Sequence, residues 1–270
     1  MSRGTLPIRL IAIDLDGTLL RSDGTVSART RAALTSVHTT GVATVIVTAR
    51  PPRTVRLIAR EAGLGGLAIC ANGALIYDLA NEAVVSHVLL GAEISRRLIG
   101  ALREAVPGVC FAVEAGLHYG QDPAYAIDSP HLEDADLRLD DACALCAEGV
   151  TKLIVRQRDW PLDDLARLIS ELVGASATVT QSGAPFVEVS APGVTKAAAL
   201  AALCAERGID AAEVIACGDG LNDLPMLEWA GWAVAVANAH PVVLAAADEI
   251  IAANDEDGVA IVIESVVRSP

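Results

Sequence analysis

Three short apolar runs constrain this chain more than any other feature. Ile8 to Ile13 is broken only by Arg9 and ends at Asp14; Val42 to Val47 is broken only by Thr44 and ends at Thr48; Leu67 to Cys70 ends at Ala71. Apolar runs without alternation fit strands buried on both faces of a parallel sheet. The segments between them carry helix and turn signals. Asp23-Gly24 predicts a tight hairpin after the first strand. Ser27 predicts the cap of a helix that ends before Gly41, and Pro51-Pro52 opens a second helix that Gly63 closes. The order β-α-β-α-β predicts an α/β fold with a doubly wound, mostly parallel sheet.

The same rhythm returns near the other end. Helices are expected at 195–207, 222–229, 241–247 and 258–267, with strands at 213–217, 232–236 and 249–251. Between the halves the pattern changes. Leu75 to Tyr77 and Ala83 to Val88 alternate like exposed hairpin strands, and further strands are expected at 109–114, 151–155 and 186–189. Asp128 to Asp141 is acidic and irregular, as a solvated loop would be. These changes predict a core built from residues 1–78 and 188–270, with an α+β domain inserted at 79–187.

Composition narrows the function. The 270 residues include 34 Asp and Glu against 20 Lys and Arg, a net charge of −14. That balance argues against a nucleic-acid partner or an anionic membrane surface, since both recruit clustered cations. No run of 18 apolar residues is present, and Met1 to Arg9 carries no signal-peptide pattern, so a cytoplasmic protein is expected. The six cysteines read as reduced, small core residues. Cys143 and Cys146 form a lone C-x-x-C pair with no second pair beside it.

Chemistry concentrates at the strand ends. Asp14-Leu15-Asp16-Gly17-Thr18 follows the first strand, where a doubly wound sheet places its ligand crevice. One carboxylate there can attack phosphorus while its neighbour protonates the leaving oxygen. Gly218-Asp219-Gly220-Leu221-Asn222-Asp223 follows another strand, and its acids would repel a pyrophosphate. Acids at two strand ends suit a hard cation, and Mg²⁺ takes one or two carboxylates together with substrate phosphate. Thr48, followed by Ala49 and Arg50 at a helix start, offers a phosphate clamp. Lys196 stands in the first turn of a helix, where the dipole disfavours a cation, so it calls for an anionic partner. Each group also has a plain structural alternative: a turn cap for the Asp14–Asp16 pair, an N-cap for Thr48, a first-turn acid for Asp223.

Taken in order, these motifs resemble those of the haloacid-dehalogenase superfamily of phosphatases. The large insertion between the second and third motifs is similar to the Cof-like branch, which carries a type IIB cap. Ala71-Asn72-Gly73-Ala74, Gly193-Val194-Thr195-Lys196 and Asn254-Asp255-Glu256-Asp257-Gly258-Val259-Ala260 extend the likeness. One departure is Ala49, where the branch usually has glycine.

The resemblance implies a Mg²⁺-dependent phosphatase of small phosphate monoesters, with a Rossmann-like core and a cap that sets specificity. It implies Asp14 as nucleophile and metal ligand. Asp16 is implied as general acid and base, its backbone carbonyl facing the metal. Thr48 and Lys196 would hold the phosphoryl group, Asp219 the metal, and Asp223 the metal's surroundings. Ala49, Arg50, Asn72 and Asn222 would complete the phosphate site. Glu114, His118, Tyr119, Asp122, Tyr125 and His131 are candidates for the leaving-group side. A hexose phosphomutase or phosphoglycosyl-specific phosphatase is the alternative within the family, and a sugar-phosphate-binding regulator the alternative outside catalysis.

Overall fold

The computed structural model describes residues 7–125 and 137–268. The first strand, β1 (Leu10–Ile13), is wholly buried, and α1 (Ala28–His38) follows it. Ser27 caps α1 by accepting a hydrogen bond from the Thr30 amide at 3.0 Å. Next come β2 (Ala43–Val47), α2 (Pro52–Ala62) and β3 (Leu67–Cys70). Gly63 closes α2 in the left-handed region at φ 68°, as its position predicts. A hairpin of β4 (Leu75–Asp78) and β5 (Ala83–His87) follows. The expected hairpin at Asp23-Gly24 is only a turn, closed by the Arg21 amide on the Thr25 carbonyl.

The chain then builds a second body. Its elements are α3 (Ala92–Ala105), β6 (Cys110–Ala115), β7 (His118–Gln121), β8 (Leu137–Leu139), α4 (Ala142–Leu145), β9 (Lys152–Arg156), α5 (Leu162–Val173), β10 (Thr178–Thr180) and β11 (Val187–Ser190). It returns through α6 (Lys196–Glu206), β12 (Val214–Gly218), α7 (Leu224–Trp229), β13 (Trp232–Val236), α8 (Pro241–Ala246), β14 (Glu249–Ile251) and α9 (Gly258–Arg268).

Two sheets result. The larger has the order β14-β13-β12-β1-β2-β3-β4-β5, parallel from β14 to β3 and antiparallel through the last hairpin. The smaller has the order β10-β11-β9-β6-β7-β8, antiparallel except between β7 and β8. Each has its own apolar cluster. The large one draws only on residues up to Leu79 and from Ala197 onward. The small one runs from Leu90 to Val189 and is roofed by α3 and α5.

Both expected insertion limits, 79 and 187, shift toward the C-terminus. β5 belongs to the large sheet through its pairing with β4, although its five residues are all exposed. β11 belongs to the small sheet, because Val187 and Val189 face the small cluster. The chain therefore crosses between bodies after His87 and after Ser190. Among the described residues no helix is long and apolar enough to cross a membrane. All six cysteines are free thiols, and burial pushes the Cys146 thiol up to about 11, which suits a core residue.

Candidate active site

The ends of β1, β2, β3 and β12 and the start of α6 converge on one place. Asp14 leaves β1 with its side chain 4% exposed as a residue, and Lys196 opens α6 at 2%. The Lys196 ammonium donates to Asp14 Oδ1 at 2.5 Å and to Asp223 Oδ1 at 2.7 Å. The expected anionic partners of this lysine are thus two aspartates at the ends of different strands. Asp223 Oδ2 also accepts from the Asp219 and Gly220 amides at 3.1 and 2.9 Å, which fixes the loop after β12. Asp219 in turn accepts from the Thr18 hydroxyl at 2.9 Å.

Close packing of backbone makes the cluster possible. Gly17 has φ +78°, and a Cβ there would lie 2.4 Å from Asp219 Oδ2. A Cβ on Gly73, at φ +105°, would meet the Thr195 carbonyl at 2.3 Å. Glycine at both positions lets the β1 and β3 loops press against the acid loop and the start of α6.

Carboxylate oxygens of Asp14, Asp219 and Asp223 lie within 4.8 Å of one another. Three hard oxygen donors at that spacing fit a divalent cation of the magnesium or calcium type. Their electrostatics call for one as well. Burial, with repulsion from Asp223, pushes the Asp14 carboxyl well above its ordinary 3.8 despite Lys196. Burial also raises Asp219. For Lys196, burial works to lower the ammonium, but Asp14 and Asp223 outweigh it and hold it above its ordinary 10.5.

The carboxylate of Asp16 does not join this group. It is half exposed and turned to Arg50, whose Nε lies 2.8 Å from Oδ2 and whose Nη2 lies 2.6 Å from Oδ1. That two-pronged pair holds Asp16 beside the site and raises the Arg50 guanidinium. Thr48 is fully buried and accepts from the Arg50 amide at 3.1 Å, so its hydroxyl sets the turn that carries Ala49 and Arg50. Asn72, in the left-handed region at φ 57°, is tied to the Thr48 carbonyl through its own amide and to Asn222 Nδ2 through its Oδ1 at 3.2 Å.

Several site residues lay outside the sequence expectation. Thr18 sits inside the first motif and holds Asp219. Asn238 donates to the Gly17 carbonyl at 2.7 Å. Lys152 and Glu188 reach over from the small sheet: Lys152 Nζ donates to the Ala49 carbonyl at 3.1 Å, and Glu188 accepts from Asn72 at 3.0 Å. Their signal was faint but present, as charged residues in otherwise apolar strand runs.

The candidates for the leaving-group side divide. Glu114 forms a buried two-pronged pair with Arg53 of α2, one bond at 2.8 Å, and the guanidinium lies 4.8 Å from the Tyr119 ring centre. Asp122 pairs with Arg103 at 2.9 Å, away from the site. Tyr125 is buried in a cluster with Tyr119, Ile154 and Phe186, its hydroxyl without a partner among the described residues. His118 is exposed, and His131 lies outside the described residues. The Asn254–Ala260 motif acts structurally: Asn254 donates to the Leu20 carbonyl, and Asp255 and Asp257 hold Ser22 and Arg21.

Comparison with known proteins identifies the family. Residues 11–263 match the profile of the haloacid dehalogenase-like hydrolases. The chain is 31% identical to the 5-amino-6-(5-phospho-D-ribitylamino)uracil phosphatase YcsE of Bacillus subtilis over 96% of each chain. It superposes on a haloacid dehalogenase-like hydrolase from Bacteroides thetaiotaomicron with a TM-score of 0.81 and 27% identity, covering 96% of this chain and 99% of that one. The fold also matches BT4131, a subclass IIB sugar phosphatase, with a TM-score of 0.82 at 22% identity, over 95% of this chain and 98% of that one.

Proposed function

The chain belongs to the haloacid dehalogenase-like hydrolases, and on that premise we propose that it is a Mg²⁺-dependent phosphatase of small phosphorylated metabolites. The observation that carries the reading is the buried Lys196 ammonium joining Asp14 to Asp223 beside Asp219. An ammonium and a cation pocket at one strand-end carboxylate are what an incoming phosphoryl group requires.

In this reading Asp14 attacks phosphorus through a carboxylate oxygen, forming a phospho-aspartyl bond while the ester oxygen departs. Asp16 gives that oxygen a proton, then takes one from the water that cleaves the acyl phosphate and restores Asp14. Arg50 keeps the Asp16 carboxylate at the site entrance between these steps. Lys196 neutralises phosphoryl charge, while Thr48 and the backbone of Ala49 and Arg50 shape its seat. Asp14, Asp219 and Asp223 would hold Mg²⁺, which supplies further neutralisation of the phosphoryl oxygens. The smaller sheet serves as the cap: it presents Tyr119, Tyr125, Ile154 and Phe186 on the face that also carries Glu114, Lys152 and Glu188. The leaving group of the substrate meets that face. YcsE acts on a ribityl-uracil phosphate and BT4131 on sugar phosphates; a compact polar metabolite of this kind is the expected substrate class.

The decisive measurement is release of phosphate from 4-nitrophenyl phosphate by the wild type and by Asp14→Asn. We expect Mg²⁺-dependent turnover in the first and a loss of at least about a thousandfold in the second, as for removal of a covalent nucleophile. Turnover that survives Asp14→Asn would refute the nucleophile assignment.

A further inference from the structure

Three charged side chains cross the cap sheet in a row that faces the catalytic loops. Glu114 on β6 stands directly opposite Lys152 on β9. Glu188 on β11 pairs with Ile154, two residues along from Lys152, which makes Lys152 and Glu188 diagonal neighbours on one face. All three are at most 3% exposed. Burying charge is costly, so such a row needs a reason. Glu114 has one in Arg53. Lys152 and Glu188 bind each other at 2.5 Å, and each also reaches into the core.

Those reaches end on the phosphate loops. Lys152 Nζ donates to the Ala49 carbonyl at 3.1 Å, in the loop after β2. Glu188 Oε2 accepts from Asn72 Nδ2 at 3.0 Å, in the loop after β3. Asn72 Oδ1 accepts from Asn222 Nδ2 at 3.2 Å, in the loop after β12. The direction of these bonds follows from chemistry. A carboxylate only accepts, so it demands the NH₂ end of Asn72. The carbonyl end of Asn72 must then face Asn222 and demand that residue's NH₂. One cap carboxylate thus sets the orientation of two successive amides, each with a second N–H left over for a phosphoryl oxygen.

We propose that Glu188, charge-balanced by Lys152, is a positioning residue through which the cap orients the Asn72–Asn222 amide pair for phosphoryl binding. The proposal rests on the phosphatase reading above and adds residues of the cap to its machinery. It makes the leaving-group body part of the phosphate site even for a substrate too small to touch the cap. Glutamine at this position keeps the shape but can donate as well as accept, so it frees both amides to reverse.

The test uses the full chain and 4-nitrophenyl phosphate, with wild type, Glu188→Gln, Asn72→Ala and the double variant. We expect Glu188→Gln to lower kcat about tenfold or more, and to add nothing in the Asn72→Ala background. Wild-type kcat in Glu188→Gln, or single effects that multiply in the double variant, overturns the proposal. Should Glu188→Gln fail to fold because Lys152 is left unpaired, Lys152→Met/Glu188→Gln removes both charges at similar volume and is judged by the same criteria. A role in leaving-group recognition alone would leave this small ester untouched and would equally overturn the proposal. Titration with inorganic phosphate separates the two readings. A wild type that turns over no ester defeats the phosphatase reading, and a phosphate Kd weakened about tenfold in Glu188→Gln then still supports the positioning role, while an unchanged Kd refutes it.

Discussion

Lys196 begins α6, where the helix dipole works against a cation, and it lies among three carboxylates of which two approach its ammonium within 2.7 Å. One positive charge faces three negative ones, and burial, together with repulsion from Asp223, raises the affinity of Asp14 and Asp219 for protons. A carboxyl that holds its proton more tightly when folded weakens the fold as pH rises. Without a divalent cation, stability attributable to Asp14 and Asp219 therefore falls as pH climbs from 3.8, their ordinary value, through their raised folded values. Lys196, raised above 10.5, stays charged across that window, and its contribution is lost only at higher pH. Thermal melts of chelated protein, with and without added Mg²⁺, should show an increment that grows as pH rises above 3.8 and Asp14 and Asp219 lose their protons. At a hundredfold excess over Kd it should approach about 2.7 kcal/mol. An increment independent of pH would refute coupling of the cation to these acids.

Elements meet through few but buried polar contacts. Arg53, in the first turn of α2, inserts into the cap and is paired on both prongs with Glu114 of β6, over the Tyr119 ring. A buried pair adds little net stability as a whole, but removing one member strands the other. Arg53→Met should cost about 3–5 kcal/mol, and Arg53→Met/Glu114→Gln should recover much of it. Chemical denaturation of the single and double variants reads this directly, and a single variant as stable as wild type would show that the two bodies do not depend on the pair. Glu114 was legible as a candidate for the leaving-group side; its pairing depended on Arg53 of a helix 61 residues earlier in sequence. The element boundaries show the same division. β1, β2, β3 and β12 were readable because burial on both faces demands continuous apolar runs. β5 has no buried residue, and only its hydrogen bonds to β4 assign it to the large sheet. β7, β8 and β10, each of three or four residues, carry too little pattern to be singled out.

Two main apolar clusters, whose residues do not interleave in sequence, are joined at two crossings, by the small Ala71–Ala74–Ala191–Val194 cluster and by the polar row on the cap. Excising residues 89–191 with a short linker should leave the large cluster intact. A core with a single cooperative melt is the expected outcome, with turnover of 4-nitrophenyl phosphate falling about tenfold or more, because Glu188 and Lys152 leave with the cap. A core that cannot fold would show that the cap is integral to the large cluster.

The net charge of −14 belongs to this scale too: an acidic molecule must hold a small anion at its site, so the charge there has to be offset locally. Local pattern along the chain specifies the alternation of buried strands and helices, hence the family fold, and the strand-end positions of Asp14, Thr48, Asp219 and Asp223. Those features are local, since strand burial and helix capping are decided within a few residues. Long-range packing is what turns Asp16 to Arg50, bridges Asp14 and Asp223 with Lys196, and brings Glu188 to Asn72 across 116 positions. Those contacts depend on how loops from distant segments pack, and no local pattern encodes such distances.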